Sequence, residues 1–337
     1  MRYLFCVSAL LLSLLSGSEP SAAADPLPVT PLHTADRSPL VQIFGLPEPG
    51  AALIKGPGRG EAGLFFDVAS NYAAEETSHE RLILDGEAYR VTLACRYGLG
   101  TRAEAGLELP FVGHGGGIFD SFIEGWHDFF GLPQGGRKEA PRNRLLYSYA
   151  DNGTERLRLD DSGFGIGDIR INGGYQLYKS GASGSGAVAL RGSLKLPTGD
   201  SHRLRGSGSV DTALWLDLSD DYQIPIGHLT LFGSAGGMAM TRGNVLPDQQ
   251  RSLAAFGTLG AGWAPTNWIA FIMQFSGHTP FYQGSDLKEL SANSLQLHSG
   301  GTLRLPGSLL LDIAVSEDIA VNTAPDVTLH LALRRPF

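Results

Sequence analysis

The stretch Val327-Thr328-Leu329-His330-Leu331-Ala332-Leu333-Arg334, followed by Arg335-Pro336-Phe337, alternates with a period of two. Val327, Leu329, Leu331 and Leu333 point one way, and Thr328, His330, Ala332 and Arg334 the other. This is a β-strand with two unlike faces. The pattern recurs upstream. Leu309, Leu311, Ile313 and Val315 alternate with Leu310, Asp312, Ala314 and Ser316. Leu295, Leu297, Leu303 and Leu305 oppose Gln296, His298, Thr302 and Arg304, and Val188, Leu190, Leu194 and Leu196 oppose Arg191, Ser193 and Lys195. Ile169, Ile171, Tyr175 and Leu177 oppose Asp168, Arg170, Asn172 and Gln176, while Ala103, Ala105, Leu107, Leu109 and Phe111 oppose Arg102, Glu104 and Glu108.

Twelve such segments follow Arg59, at 59–72, 80–97, 102–114, 162–178, 187–197, 209–222, 228–241, 250–264, 268–279, 293–305, 308–316 and 326–337. A soluble sandwich also contains two-faced strands. Three features favour an all-β, transmembrane antiparallel β-barrel: uniform amphipathicity, glycine inside strands, and aromatics near strand ends. Those aromatics, read as an interfacial girdle, are Tyr72, Tyr97, Phe111, Tyr178, Tyr222, Trp263, Trp268, Phe281 and Tyr282. Twelve is even, and short connections alternate with long ones, so that both chain ends fall on the short-turn side. The terminal Phe337 reads as an assembly signal for the barrel assembly machinery.

Composition agrees once the alternation is known. The chain has 337 residues with 45 glycines, well above the usual share of about 7%. Its mean hydropathy is near zero, the average of a lipid-facing and a lumen-facing set. Two cysteines exclude a disulfide scaffold, and a net charge of −8 without a basic patch argues against nucleic acid. Residues 1–24 read as a signal peptide: Arg2, an apolar run from Tyr3 to Leu15, and Ala22-Ala23-Ala24. That places the mature protein in the outer membrane of a Gram-negative bacterium, with outer-membrane lipid and lipopolysaccharide as neighbours. Residues 25–58 carry seven prolines and form a periplasmic leader or plug, anchored by Val41, Ile43, Phe44 and Leu46. Residues 59–337 are the barrel.

Loop 115–161 breaks the strand pattern. Ile118, Phe119, Phe122, Ile123, Trp126, Phe129 and Phe130 recur at helical spacing, which predicts a short amphipathic helix over 118–131. Phe119, Phe122, Ile123, Trp126 and Phe130 are the candidate gate. Beyond it, Arg144–Tyr149 and Glu155–Leu159 flank Asp151-Asn152-Gly153 as a hairpin.

Several short stretches resemble a family of outer-membrane barrels, the domain of unknown function numbered 3187. They are Pro39-Leu40 with Ile43-Phe44-Gly45-Leu46-Pro47, Leu84-Asp85-Gly86-Glu87, Gly106-Leu107-Glu108-Leu109-Pro110-Phe111, the helix from Trp126-His127 into Phe130-Gly131-Leu132-Pro133, and Gly165-Ile166-Gly167-Asp168-Ile169. The resemblance covers nearly all of the mature chain. Leu194-Lys195-Leu196-Pro197-Thr198-Gly199-Asp200 with Gly206-Ser207-Gly208-Ser209 is similar to a strand–loop–strand of outer-membrane transporter families. The resemblance implies barrel and location, and no catalytic residues.

The residues themselves point away from an enzyme. His114-Gly115-Gly116-Gly117 mimics an esterase oxyanion loop, but the chain has no G-x-S-x-G elbow. Ser121, His127 and Asp128 do not have triad spacing on one helix. No cofactor motif appears, and the nine histidines lack ligand spacing. The candidate lumen is therefore the site: Arg96, Arg102, Glu104, Glu108, Asp168, Arg170, Arg191, Lys195, Asp217, Arg304, Asp312 and Arg334, with Arg90 beside them. Charges of both signs there support either a narrow selective path for a small-molecule solute or a closed, salt-bridged interior. A membrane hydrolase is the third reading.

Overall fold

The computed structural model describes residues 27–117, 143–181, 185–319 and 323–337. The expected helix 118–131, with all five gate residues, lies outside them, as does the signal peptide. Among the described residues fifteen strands run in chain order: β1 (Gly60–Glu76), β2 (Glu80–Gly98), β3 (Ala103–Gly115), β4 (Leu146–Asp151), β5 (Thr154–Leu159), β6 (Gly163–Ile166), β7 (Arg170–Lys179), β8 (Gly186–Lys195), β9 (Asp211–Gln223), β10 (His228–Met240), β11 (Leu253–Ala264), β12 (Ile269–His278), β13 (Ser294–Leu305), β14 (Leu309–Asp318) and β15 (Val327–Pro336). Each pairs antiparallel with its neighbour. β15 returns to β1, from Glu61 opposite Pro336 to Ser70 opposite Val327, and this closes the ring. The result is a twelve-stranded transmembrane β-barrel, and every segment expected from the alternation is a strand.

Twelve wall strands come from fifteen because three elements are accessory. β4 and β5 form the expected hairpin, with Asn152 and Gly153 at φ 50° and 72° in its two-residue turn. β4 extends the wall by pairing with the upper part of β2. The switch of β2 from β3 to β4 falls at Gly86, whose φ of 148° suits glycine and whose absent Cβ would lie 2.9 Å from the Gly115 carbonyl. β6 and β7 both pair with β3 and form one wall strand broken at Gly167–Ile169. The break has a local cause. Asp168 turns inward to accept from the Gly199 and Ser207 amides, and the Thr198 hydroxyl bonds the Gly167 carbonyl.

The two faces separate as the period-two pattern requires. Leu107, Ile171, Leu214, Leu216, Leu218, Leu231, Leu259, Phe271, Met273 and Ile313 are exposed on the outside. Tyr97, Tyr178, Tyr222, Trp263 and Trp268 are exposed near the short-turn end, which forms the girdle there. Phe281 and Tyr282, placed in the girdle by sequence, are instead buried inside the long-loop end. They follow β12 on a loop that folds over the mouth, where alternation no longer reports facing.

The inward face is filled by residues 27–58. The leader starts at the short-turn end, where Leu27 packs with Ala264, Ala270 and Leu310. It climbs past Leu32, which packs with Phe232, Ile272 and Ala314. It reverses in a tight turn, with the Val41 and Gln42 amides donating to the Ser38 carbonyl. It then descends to a bridge between Pro57 and Gly98, back at the short-turn end. At the long-loop end Leu40, Val41, Ile43, Phe44 and Leu46 join an apolar core with Leu82, Leu84, Tyr147, Tyr149, Trp215, Met238, Phe281 and Tyr282. Phe44 stacks on Phe281 at 4.9 Å, and the Tyr282 hydroxyl donates to the Leu40 carbonyl at 2.9 Å.

The outside of such a wall tolerates charge according to depth. Leu259→Arg, at the middle of β11, is expected to lower stability in lipid by about 2–4 kcal/mol, and Leu99→Arg in a short turn by about 1 kcal/mol or less. Equilibrium refolding into liposomes measures both.

Candidate functional site: the filled lumen

A proline-rich segment inside a barrel cannot join the sheet, because each proline lacks a donor and fixes φ. Its remaining polar groups still need partners. The wall provides them from side chains. Gln274 accepts from the Leu32 amide at 3.0 Å and donates to the Leu32 carbonyl at 3.3 Å. On the descending limb Gln176 does the same, accepting from the Ile54 amide at 3.0 Å and donating to the Ala52 carbonyl at 2.9 Å. These primary amides stand in for a strand neighbour. Asp211 accepts from the Gly45 amide at 2.7 Å, and Glu104 from the Lys55 amide at 2.7 Å. Lys195 donates to the Ile43 carbonyl and Arg191 to the Ala51 carbonyl.

Charged side chains then link leader and wall. Arg37 of the leader donates to Asp67 of β1 at 2.8 Å and to Glu48, further along the leader, at 3.0 Å. Glu48 also accepts from Arg170 of β7. Asp67 takes the Thr34 hydroxyl at 3.1 Å and pairs with His330 of β15 at 2.6 Å. Asp36 faces His278 at 3.0 Å. Burial pushes the Glu48 carboxyl up, but the guanidinium groups of Arg170 and Arg37 outweigh burial and hold it well below the usual carboxylate range.

The sequence-derived set divides into clusters. Arg191 bridges Glu104 at 2.5 Å and Asp217 at 2.6 Å. Lys195 bridges Asp168 at 2.5 Å and Asp211 at 3.2 Å, and also donates to Ser207. Arg334 pairs with Asp312 through two bonds of 2.6 and 2.9 Å. Glu108 lies 3.5 Å from Arg170 and accepts from Asn172 at 2.7 Å. Arg96 is half-buried beside Glu61 at 3.5 Å, and Arg304 is half-buried near the short-turn end of β13. Arg102 is a correction: it is exposed in the turn before β3 and does not line the lumen. Position 102 lies one residue outside the strand, where the turn releases the side chain to solvent.

The transporter-like motif acquires a physical role. Lys195, Ser207, Ser209 and Asp211 form a continuous hydrogen-bonded chain around Asp168. Gly206 is required there, since a Cβ would lie 2.2 Å from the Asp168 carboxylate. His114 of the esterase-like stretch bonds the Leu204 carbonyl at 3.1 Å and packs edge-on against Tyr147. His33, Glu48 and Glu108 bring ligand-type atoms within 4.8 Å of one another. Arg37 and Arg170 lie against Glu48 and Arg170 lies against Glu108, so guanidinium groups already take up the charge of both carboxylates. Sequence reading missed Asp67, Arg37, Glu48, Asp211, Gln176 and Gln274 as site residues. Asp67 carried a usable signal, as the one charge in the run Ala62–Ala69.

The family profile described as "Protein of unknown function (DUF3187)" matches residues 7–337. The chain belongs to the DUF3187 family. None of the curated proteins compared with it matches. Among solved structures, it is similar to the COG4313 outer membrane channel from Pseudomonas putida F1, at 12% identity, covering 86% of this chain and 99% of that one with a TM-score of 0.54. The NanC porin matches at 9% identity, covering 82% of this chain and 98% of that one, TM-score 0.43. The Pseudomonas putida toluene transporter TodX matches at 11% identity, covering 85% and 92%, TM-score 0.33. The DUF3187 chain shares with the first of these the fold of an outer-membrane barrel.

Removing one member of a buried pair strands its partners. Arg37→Ala is expected to weaken leader docking by about 3–5 kcal/mol. Hydrogen exchange should rise across residues 33–55 while the wall strands stay protected. The depressed Glu48 carboxyl sets the pH dependence. The docking it provides is fully present above the ordinary glutamate value of about 4.3 and is lost only as pH falls below that. Exchange at residues 47–49, where Glu48 carries the amide N–H between two prolines, is expected to stay flat from neutral pH to about pH 5 and to rise in stronger acid.

Proposed function

We propose that this barrel is an outer-membrane channel for small molecules, closed by its own leader and opened when the leader withdraws. One observation carries the reading: the leader enters and leaves the lumen by the same short-turn mouth, with Leu27 and Pro57 both at that end. A hairpin so placed withdraws without threading through the wall or breaking a strand pairing. Its contacts in the middle of the lumen are ionic and polar, of the kind that water and solute replace. A twelve-stranded ring without a leader is wider than an eight-stranded one, whose side chains alone fill it.

In this reading the long loops face outward and the short turns face the periplasm. The helix at 118–131, with Phe119, Phe122, Ile123, Trp126 and Phe130, forms a second gate over the outer mouth. Lipopolysaccharide and outer-membrane lipid contact the apolar belt. Phe337, at the seam where its amide and carbonyl both pair with Gly60, is the residue recognised by the barrel assembly machinery. The leader's occupation of the lumen favours a second reading, a closed barrel with a structural or surface-interaction role.

Planar-bilayer conductance distinguishes them. The wild-type protein is expected to be nearly silent, and deletion of residues 27–58 to raise conductance at least tenfold. Deletion of 118–131 in that background should raise it further. Silence in all three proteins leaves the closed barrel as the function.

A further inference from the structure

The ion pairs of the lumen are of two kinds, and the difference identifies a ligand. Lys195, Arg191 and Arg334 each have acids on the wall itself: Asp168 and Asp211, Glu104 and Asp217, and Asp312. These cations stay compensated whatever the leader does. Arg90 and Arg170 differ. The closest acid to Arg170 is Glu48 of the leader, and the wall residue Glu108 lies further away at 3.5 Å. Arg90 is buried, and no described acid lies within ion-pair distance of it. Its Nη1 reaches only the Gln42 carbonyl of the leader, at 3.5 Å. The Nε of each arginine lacks a hydrogen-bond partner among the described residues. Arg90 adds its charge to those acting on the Glu48 carboxylate.

We propose that Arg90 and Arg170 form a carboxylate-binding site on the barrel wall, that Glu48 occupies it as an internal ligand, and that the solutes selected after leader withdrawal are small carboxylates. The inference rests on the channel reading only for its last clause; the site itself does not depend on conduction. Withdrawing the leader removes Glu48 and Arg37 together. It leaves two buried guanidinium groups on adjoining parts of the wall with donors unused, beside Glu108 of β3 and beside Asp67 of β1, which stands opposite Arg90 in the β1–β2 register. Guanidinium forks match carboxylates in both geometry and charge, so a solute carboxylate regains what Glu48 supplied. A neutral or cationic solute leaves Arg90 without an ion-pair partner and Arg170 with only the 3.5 Å contact to Glu108, which is costly. The leader is thus a gate that holds the recognition element of the solute it excludes.

The test uses the full chain with succinate as probe and dimethyl succinate as its neutral counterpart. Labelled succinate is expected to bind Glu48→Gln at least tenfold more tightly than wild type. Adding Arg90→Gln and Arg170→Gln should remove that binding, and dimethyl succinate should not compete. Equal binding to wild type and Glu48→Gln, or binding that survives loss of both arginines, overturns the proposal. Heat-modifiable migration verifies that each variant is a folded barrel. A measurement without any variant guards against misfolding: protease cleavage of the wild-type leader should accelerate at least threefold in sodium succinate over sodium chloride of equal ionic strength. Equal cleavage also overturns the proposal. Bilayer recordings on Glu48→Gln separate the two readings. Succinate binding without current upholds the site and sinks the channel. Current that succinate does not block upholds the channel and sinks the site.

Discussion

The pairing of β15 with β1 is the constraint on which everything else depends. A membrane-spanning sheet has no water for an unpaired edge, so its last strand must find its first. Here the seam runs from Glu61 opposite Pro336 to Ser70 opposite Val327, and the amide and carbonyl of Phe337 complete it at Gly60. Closure at twelve strands then sets a second problem. The ring encloses more space than inward side chains such as Asp67, Gln274 and Asp312 occupy, and buried polar groups there must be paired. The leader is the solution to both.

The leader solves them without becoming a strand. Its prolines remove the donors that would let it extend the sheet, so its contacts are made one group at a time. Gln274 and Gln176 each bracket one short stretch of main chain, and cations take carbonyls while carboxylates take amides. The two ends of the lumen use different forces. At the long-loop end Phe44 and its neighbours bury apolar surface against Phe281, Tyr282 and Tyr147. In the middle, Arg37, Glu48, Asp67 and Arg170 form ion pairs. Such pairs add little net stability, because desolvation offsets their attraction, yet losing one partner is expensive. They act as a register lock, and the apolar crown is the adhesive.

Much of the wall was legible in the sequence because β facing repeats every two residues and depends only on neighbours. All twelve spans, the even parity and the inward Glu104, Glu108, Arg170, Arg191, Lys195, Asp217, Asp312 and Arg334 follow from that rule. The errors lie where the rule ends. Arg102 sits one residue before β3, and Phe281 and Tyr282 sit beyond β12. In both places the backbone has left the pleat and side-chain direction is set by tertiary contact. The break at Asp168 was hidden for a related reason, since its bonds come from Gly199 and Ser207 on a distant loop.

The sequence by itself determined a closed, two-faced wall, because alternation and loop length are local properties that strand sterics convert directly into facing and direction. It also marked residues 25–58 as unable to be a strand, and left open a periplasmic leader or a plug, with Val41, Ile43, Phe44 and Leu46 as the anchor in the second case. Only the tertiary structure decided what the leader touches. Glu48 meets Arg170 across 122 residues, and Arg37 meets Asp67 across 30. Those encounters depend on the stagger of strands around the ring and on where a chain without periodicity turns. Neither is written in any local spacing.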